Sequence, residues 1–552
     1  IMKKTLRIII VLTLLGRWAH AQIPLPENLE QGYPRLYITQ SEKKGLEKTI
    51  KKEPWAKAVL QGIHERIDKH VERHVTDPEW MVSRLQMYWK TKATNIYIDG
   101  INYSHADGEA PVPTVRFVGS RDYTTPYGTP KLEDILPYMD DPRGLYLPNR
   151  SKEGNPFEWA EPSKTGRVIY SINEQIIELA RDAAFIYWLE NDVRYAKFAN
   201  DIIHTYLEGM SYRSEPIDLL NGHIQTLVGF TNFQVIHESV LIDIAELYHA
   251  EYIPMYDKTI KRWTDQIIKN GVPQNNWNLH QAKTILKAAM VLKDNKYYED
   301  KKGREYYIDY ILNVTSARQW SLTKFMDFGY DENNGVWAEC PGYSQGVTKD
   351  LTAFIEDFDT TFDHNILPYM PTMEKAVKML PQYLFPNGQT VAFGDSNYAG
   401  LGTEAITNLI RVAQKNNDKA VEKEFTSMYH LFAEDSQRSG KKGRKPKANI
   451  SSFFASKPLE LNPKYGAGDI NDYMTQTFYA PNVSWHVQRI GSGKDGMMAS
   501  LNGSLGNHMH ANGINMELYG KGFVQGADPG KGASYLQPIY LEFYSQFPAH
   551  NT

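Results

Sequence analysis

Apolar residues recur at helical spacing through most of the chain, from about residue 34 to residue 433. In the segment 174–188 the apolar positions form one stripe of a 3.6-residue period: Ile176, Ile177, Ala180, Ala183, Ala184 and Tyr187. The same period predicts helices at 194–207, 233–248, 255–270, 281–292, 306–315, 349–367 and 372–384. Short connections rich in Gly, Pro and Asn separate these segments, which predicts helical hairpins in an all-α layer.

Two stretches depart from this helical pattern. Residues 95–166 are rich in Pro, Gly, Asp and Tyr and show little periodicity, which predicts a long irregular insertion beside a binding cleft. Residues 436–449, SQRSGKKGRKPKAN, are polar and basic without apolar anchors, so they are interpreted as a linker. Its charges are compatible with an ordinary solvated loop or with a basic lip that attracts polyanions.

After this linker the hydrophobic period changes from 3.6 to two. Alternating segments at 474–480, 483–490, 496–501, 514–519 and 523–525 predict five short strands separated by Gly, Asn and Pro turns. Strands at this spacing are typical of an antiparallel β-sandwich. The predicted domains are therefore a helical domain over 22–435, the linker over 436–449 and a partial sandwich over 450–552. Because the chain ends where a second sheet should form, we expect a C-terminally truncated piece of a longer protein.

Length and charge restrict the function classes. A chain of 552 residues exceeds what a single hydrophobic core usually serves, so two domains are expected. The formal net charge of −4 gives no overall cationic face, so nucleic acid is not expected as a partner. An acidic polymer would require a locally basic cleft. The aromatic fraction of 12% would suit sugar rings, although aromatic residues serve in cores as well.

The N-terminus predicts export. Three basic residues precede the apolar run 8–15, and Ala19-His20-Ala21 is an A-x-A cleavage site, which together indicate a signal peptide over 1–21. The apolar run is too short to span a bilayer, so no membrane span is predicted. Cys340 is the single cysteine, which excludes an intrachain disulfide. A bacterial periplasmic or secreted protein is expected; the sequence does not indicate its oligomeric state.

The residues with the most informative chemistry lie near the end of the chain. His508 and His510 stand two apart before a strand-like segment, and on an extended backbone both side chains would leave one face. Such a pair alone is equally compatible with an ordinary loop or strand. Asp528, in an Asp-Pro-Gly turn, and His550 follow. His510, Asp528 and His550 form a set of N and O ligands that suits zinc.

These motifs resemble the heparinase II/III-like polysaccharide lyases. The resemblance rests on the HMHAN segment from His508, the Asp-Pro-Gly turn and the terminal Ala-His-Asn-Thr. Asn275-Asn276-Trp277, the Glu339 to Tyr343 segment and Phe393-Gly394-Asp395-Ser396 also match the pattern of that family. The resemblance implies an α+β multidomain fold, an incomplete (α/α) toroid followed by a β-sandwich. It also implies a structural zinc on His510, Asp528 and His550.

The resemblance further implies four catalytic residues: Asn276, Tyr343, His508 and Tyr535. Asn276 would contact the substrate carboxyl group, and Tyr343 and His508 would transfer protons. By themselves, an Asn near a helix start is commonly a cap, and a Tyr after Pro-Gly commonly packs in a core. The chain departs from the family at Asn512, where Asp is usual, and at Trp277, where other members carry His.

The expected reaction is β-elimination, catalysed by a carbon–oxygen lyase. Removing the C5 proton of a uronic acid requires neutralisation of the adjacent carboxylate, which an amide and an imidazole can provide. Tyr343 would act as both base and acid, or His508 would be the base and Tyr343 the acid. We favour a glycosaminoglycan-type substrate, with ulvan and alginate as alternatives.

Two other functions compete with the lyase interpretation. A glycoside hydrolase would use two carboxylates about 5 to 10 Å apart, for which Glu339 and Asp395 are the candidates. A non-catalytic glycan-binding protein would need the aromatic residues alone.

Overall fold

The computed structural model describes residues 22–550 with short gaps, of which the longest are 118–124, 220–234, 248–255, 439–447 and 534–538. The predicted signal peptide, Tyr535, Asn512 and most of the predicted basic linker lie outside the described residues. Among the described residues, no helix combines the length and the apolar character needed to cross a membrane.

Fifteen α-helices lie in the described residues. They are α1 (Lys43–Lys52), α2 (Pro54–Thr76), α3 (Glu79–Val82), α4 (Val168–Glu190), α5 (Val193–Ser211), α6 (Ser239–Leu247), α7 (Asp257–Lys269), α8 (Asn276–Val291), α9 (Arg304–Asn313), α10 (Leu322–Gly329), α11 (Pro341–Phe362), α12 (Thr372–Lys378), α13 (Glu404–Lys415), α14 (Lys419–Arg438) and α15 (Ile450–Ala455). The predicted helices all correspond to these, although α11 begins eight residues before its predicted start at 349.

The helices pack as successive hairpins. Neighbouring contacts run from α4 to α6, α8, α11 and α13, while α5, α7, α9 and α14 pack against members of this series. Most side chains of α4 are buried, as expected for a helix covered by neighbours on several sides. The chain reverses sharply after α4, where Asn191 adopts a left-handed conformation and the Asp192 side chain caps α5. The predicted helical hairpins are therefore confirmed.

Helices α8 and α11 run parallel with a constant register. His280 lies within electrostatic reach of Asp350, and Lys287 within reach of Asp357, so in both pairs the partner stands 70 residues later. Lys287 also lines a common cavity with Asp357. Two contacts of equal offset, two turns apart, require that both helices begin at the same end of the layer. The N-terminal ends of α8 and α11 therefore lie side by side.

Twelve strands lie in the described residues. They are β1 (Met87–Tyr88), β2 (Ala93–Asp99), β3 (Asn102–Asp107), β4 (Thr114–Val115), β5 (Leu145–Pro148), β6 (Phe157–Ala160), β7 (Ile217–Asp218), β8 (Thr477–Ala480), β9 (Trp485–Ile490), β10 (Met497–Asn502), β11 (Asn515–Gly520) and β12 (Phe523–Gly526). Most of β2 and all of β3 to β6 lie in the segment 95–166 that was expected to be irregular, so that expectation was wrong for these residues. The hairpins β2–β3 and β5–β6 are short, so their alternation is weak in the sequence.

Strands β8 to β12 form one antiparallel sheet in sequence order. All five predicted strands are confirmed. Alternate side chains of β9 are buried, and Trp485 stacks on Tyr383 of the helical layer with ring centroids 4.7 Å apart. The opposite face of the sheet carries exposed apolar side chains such as Ile490 and Met497. The predicted α+β class is confirmed; the described residues contain one sheet of the predicted sandwich.

The transition between the two regions lies later than predicted. Helix α15 packs against α2, and Phe453 contacts both Trp55 and Phe185 of the helical layer. The first strand of the sheet begins at Thr477. The boundary expected at residue 450 is therefore wrong, because a short apolar segment following the basic stretch returns to the helical core. Helix α14 also continues to Arg438, past the predicted linker start at 436.

Candidate active site

The loop that follows β10 carries His508 and His510 onto the helical layer. Asn507 donates its backbone N–H to the Ala338 carbonyl at 3.1 Å, and its side-chain amide donates to Glu339 at 3.1 Å. The expectation that both histidines lie on an extended strand is wrong, since His508 adopts a left-handed φ of 57°. This conformation is uncommon for a residue with a side chain and indicates a backbone held by its surroundings.

Tyr343 and His508 meet at the junction of the two regions. Tyr343 lies in the first turn of α11, and its ring stacks on the His508 imidazole with centroids 3.7 Å apart and planes at 9°. The His508 side chain is 27% exposed, so one side of this pair faces solvent. Its Nδ1 contacts Asp395, and its Nε2 has no hydrogen-bond partner among the described residues. The Tyr343 ring and the His508 imidazole are therefore brought together at a single surface.

Asp395 lies beneath this pair and joins it to the second histidine. One carboxylate oxygen is 2.9 Å from His508 Nδ1, and the other is 2.9 Å from His510 Nε2. The Tyr540 hydroxyl donates to the same oxygen as His510, at 2.6 Å. Burial alone would raise the pKa of Asp395, but these three hydrogen bonds hold it well below its ordinary value. Asp395 is therefore an ionised acceptor for three donors.

His510, Asp528 and His550 form a buried cluster behind Asp395. One ligand atom from each side chain lies within 4.8 Å of the others, and all three residues are buried. His510 Nδ1 and His550 Nε2 are buried without a hydrogen-bond partner in the described part of the chain. Buried polar atoms without partners are costly, and two imidazoles with one carboxylate are ligands that zinc accepts. The residues thus fit the predicted metal, whose presence stays a prediction.

Further hydrogen bonds hold Asp528 in place. Asn515 of β11 donates to its carboxylate at 2.5 Å, and the Gly530 N–H donates at 2.7 Å. Tyr398 accepts from the Asp528 N–H and donates to Glu517, joining the turn to the sheet. Burial and the nearby Asp528 raise the pKa of Glu517 to about 8. The ligand set is therefore supported from both the helical region and the sheet.

Asn276 is the first residue of α8, and the neighbouring Asn275 provides the helix cap. The Asn275 side chain accepts from the Trp277 N–H at 2.9 Å, which leaves the Asn276 amide without a hydrogen bond to any described residue. The register of α8 against α11 places Asn276 level with Gly346, one helical turn beyond Tyr343. A side chain added at Gly346 would meet open space. Asn276 therefore lies at the end of α8 that is next to the first turns of α11, which carry Tyr343.

The predicted site residues thus form a group of catalytic candidates and a group of metal-ligand candidates, and Tyr535 has no described position. Tyr343 and His508 are in contact, Asn276 is at the neighbouring helix end, and the three metal-ligand candidates are clustered. Their roles stay predictions. Tyr535 lies outside the described residues. Tyr540 and Asn515 belong to no recognisable motif and could not be identified from the sequence. Asp395 was part of a matching motif and a candidate for a hydrolase, but no role in a lyase was predicted for it.

The geometry argues against the pair of carboxylates required by a hydrolase. Glu339 is 2% exposed, its pKa is raised by burial, and one of its oxygens accepts from Asn507. Asp395 is 6% exposed, and its oxygens accept from His508, His510 and Tyr540. Neither carboxylate therefore presents a free face to a glycosidic bond.

Comparisons with known proteins agree on one class of enzyme. Residues 333–465 match the family described as the second domain of endo-acting ulvan lyase. An endo-acting ulvan lyase from Formosa agariphila is 21% identical over 94% of this chain and 58% of its own length. The chain therefore spans a little over half of that relative.

Solved structures of low similarity carry related names. A heparinase III is 16% identical with a TM-score of 0.44, covering 71% of this chain and 56% of its own. A heparan sulfate lyase from Pedobacter heparinus is 15% identical, with a TM-score of 0.42 and coverage of 73% and 57%. An alginate lyase from Bacteroides ovatus is 11% identical, with a TM-score of 0.36 and coverage of 79% and 100%. The predicted resemblance to polysaccharide lyases is confirmed by the family match and the curated relative, which both carry the name ulvan lyase.

Proposed function

We propose that this chain cleaves a uronic-acid-containing polysaccharide by β-elimination. The observation that carries the proposal is the stack of Tyr343 on His508 at the junction of the helical layer and the sheet. A phenol and an imidazole side by side would provide the acid and base that removal of a C5 proton and departure of a C4 oxygen require. The similarity to an ulvan lyase over most of the chain supports the same class.

Each residue has a defined role in this proposal. Asn276 and His508 hydrogen-bond the uronate carboxyl group and stabilise the enolate-like charge that develops as the C5 proton leaves. Tyr343 protonates the departing C4 oxygen. The base is Tyr343, which then passes the proton to the C4 oxygen, when the C5 proton and the C4 oxygen lie on one face of the sugar ring; it is His508 when they lie on opposite faces. Nε2 of His508, which has no hydrogen-bond partner among the described residues, would accept the C5 proton while it is unprotonated and would donate to the carboxyl group only while it carries a proton.

The zinc ion is proposed as a structural component. His510, Asp528 and His550 would hold it, and its charge would fasten the loop after β10 to the end of the chain. The ion takes no part in proton transfer in this proposal, because Asp395 lies between the ligand set and His508. Export to the periplasm or medium, proposed from the N-terminal sequence, fits an enzyme that acts on a large polymer.

For the substrate we place ulvan first and glycosaminoglycans second. The sequence analysis favoured a glycosaminoglycan, whereas the family match and the curated relative both carry the name ulvan lyase. Both polymers present the uronate that the site residues would bind.

Ultraviolet absorbance during digestion tests the function. A lyase leaves a conjugated C4–C5 double bond on the new non-reducing end, so absorbance should rise with each cleavage of ulvan, heparan sulfate or alginate. Reducing ends produced without this absorbance would indicate a hydrolase, and binding without either product would indicate a glycan-binding protein. Each of those two results would reject the lyase proposal. The polymer that gives the highest kcat/KM identifies the substrate.

A further inference from the structure

Asp395 contacts the two histidines on opposite sides of the site. The carboxylate reaches Nδ1 of His508 with one oxygen and Nε2 of His510 with the other, at 2.9 Å in both cases. His508 stacks on Tyr343, whereas His510 belongs to the cluster with Asp528 and His550. A single side chain thus lies between the proposed proton-transfer pair and the proposed metal ligands.

An ionised carboxylate accepts hydrogen bonds and donates none. Both imidazole nitrogens that face Asp395 must therefore carry the proton. In a neutral imidazole the other nitrogen is then an acceptor, so His508 presents an unprotonated Nε2 and His510 an unprotonated Nδ1. His510 Nδ1 is also the buried atom without a partner. The two histidines need opposite tautomers, and one carboxylate specifies both.

The backbone around Asp395 is fixed to the same loop. The Asp395 N–H donates to the His508 carbonyl at 2.9 Å. Gly394 has a φ of 65°, and a Cβ there would lie 2.5 Å from that carbonyl oxygen. The main chain and the side chain of Asp395 therefore both bind His508, which explains how His508 keeps its left-handed conformation.

We propose that Asp395 is a positioning residue that orients the proton-transferring His508 and the metal-binding His510 with one carboxylate. This inference rests on the proposed lyase function for the role of His508. It predicts that loss of the carboxylate impairs turnover and metal retention together, although Asp395 would touch neither substrate nor metal.

The test compares Asp395→Asn with the full-length wild-type chain. An amide of the same shape offers one acceptor and one donor, so at least one imidazole must change its tautomer or lose its bond. We expect kcat to fall by about 10² to 10⁴ with KM nearly unchanged, as for other carboxylates that orient a catalytic histidine. Zinc affinity in chelator competition should fall by about 10-fold to 100-fold.

Asp359→Asn is the matched control. Asp359 is a buried aspartate near the C-terminal end of α11 that bonds Asn416 and Lys415, about 24 Å along the helix from Tyr343. This variant should keep the kcat and zinc affinity of the wild type, whatever it loses in stability. If Asp395→Asn retains the wild-type value of either quantity, the shared role is overturned.

A spectroscopic measurement of the two tautomers requires no substrate. In ¹⁵N-histidine spectra, the signal that disappears in His508→Ala should show an Nδ1–H tautomer, and that of His510 should show Nε2–H. The opposite tautomer at either residue overturns the inference. If no uronate polymer is cleaved but both tautomers and the zinc result hold, the lyase proposal fails while the role of Asp395 at His510 stands.

Discussion

The helical layer and the sheet region contribute to the site in different ways. Asn276 and Tyr343 project from the first turns of α8 and α11, two parallel helices whose packing fixes their separation. His508, His510, Asp528 and His550 all lie outside regular strands, on loops and a terminal turn. Helical packing positions the first group, whereas hydrogen bonds and a proposed metal position the second.

Because of this difference, variants in the two regions should differ in whether they change stability as well as turnover. A helix keeps its geometry when one exposed side chain is shortened, because the backbone bonds and the buried face remain. A loop held by a few polar contacts loses its geometry when one contact is removed. Shortening a proposed catalytic side chain on the helical side should therefore affect turnover alone, and changes on the sheet side should affect turnover and stability together.

Tyr343→Phe is expected to give the largest effect on the helical side. The ring still stacks on His508, so the melting temperature should change little, while the proton-transferring hydroxyl is lost. Turnover should fall by about 10² to 10⁴. Steady-state kinetics on the substrate identified by absorbance provide the measurement.

Tyr369→Phe serves as the control, since this half-buried tyrosine lies just beyond the far end of α11 and should keep native turnover. Near-native product formation by Tyr343→Phe would show that Tyr343 is a packing residue.

Asn276→Ala tests the second residue of the helical side. Losing one donor to the enolate-like charge should lower turnover by about 10² to 10³. Asn275→Ala is the matched variant: it removes the helix cap and should cost about 1 kcal/mol of stability while turnover stays near native. If stability falls for Asn276→Ala and turnover does not, Asn276 has a structural role, and the expected difference between the helical side and the sheet side is wrong for this residue.

His550→Ala tests the sheet side. The variant should lose bound zinc, and its stability should fall by about 3 kcal/mol when the free zinc concentration is about 100 times Kd for the wild type. A chelator should lower the melting temperature of the wild type by a similar amount and leave the variant unchanged. Turnover should fall as well, because His510 would lose its ordered neighbour. Elemental analysis that finds no stoichiometric metal in the purified wild type would rule out the zinc site.

The last prediction concerns the free energy of unfolding at low pH, which depends on a buried histidine of the helical layer. Burial lowers the pKa of His70, packed beside Trp80, to about 4. Because the native state binds this proton more weakly than the unfolded chain, stability falls as pH drops from about 6.5 towards 4. The loss between pH 7 and pH 5 should be about 2 kcal/mol.

His70→Phe should remove this part of the pH dependence, measured by urea unfolding at the two pH values. His430→Phe, at an exposed position of α14, should keep the wild-type slope. An unchanged slope in His70→Phe would contradict the assignment.

Most regular elements and most candidate residues of the site could be predicted from the sequence, whereas Tyr540, Asn515 and the position of Asp395 could not. Helices and strands followed from apolar periods of 3.6 and two, since burial of one face depends on local spacing. The short strands in residues 95–166 and the return of α15 to the helical core could not be predicted. Elements of a few residues carry too little pattern, and their conformation depends on partners distant in the chain.

The spatial relation of the site residues to one another follows from the tertiary structure. The histidine pair was visible in the sequence, but its left-handed backbone and its two bonds to Asp395 were not. Asp395 lies more than a hundred residues before both histidines, and Tyr540 follows them on a separate turn. Side-chain identity is written in the sequence, whereas hydrogen bonds act over about 3 Å and exist only after the fold has brought distant segments together.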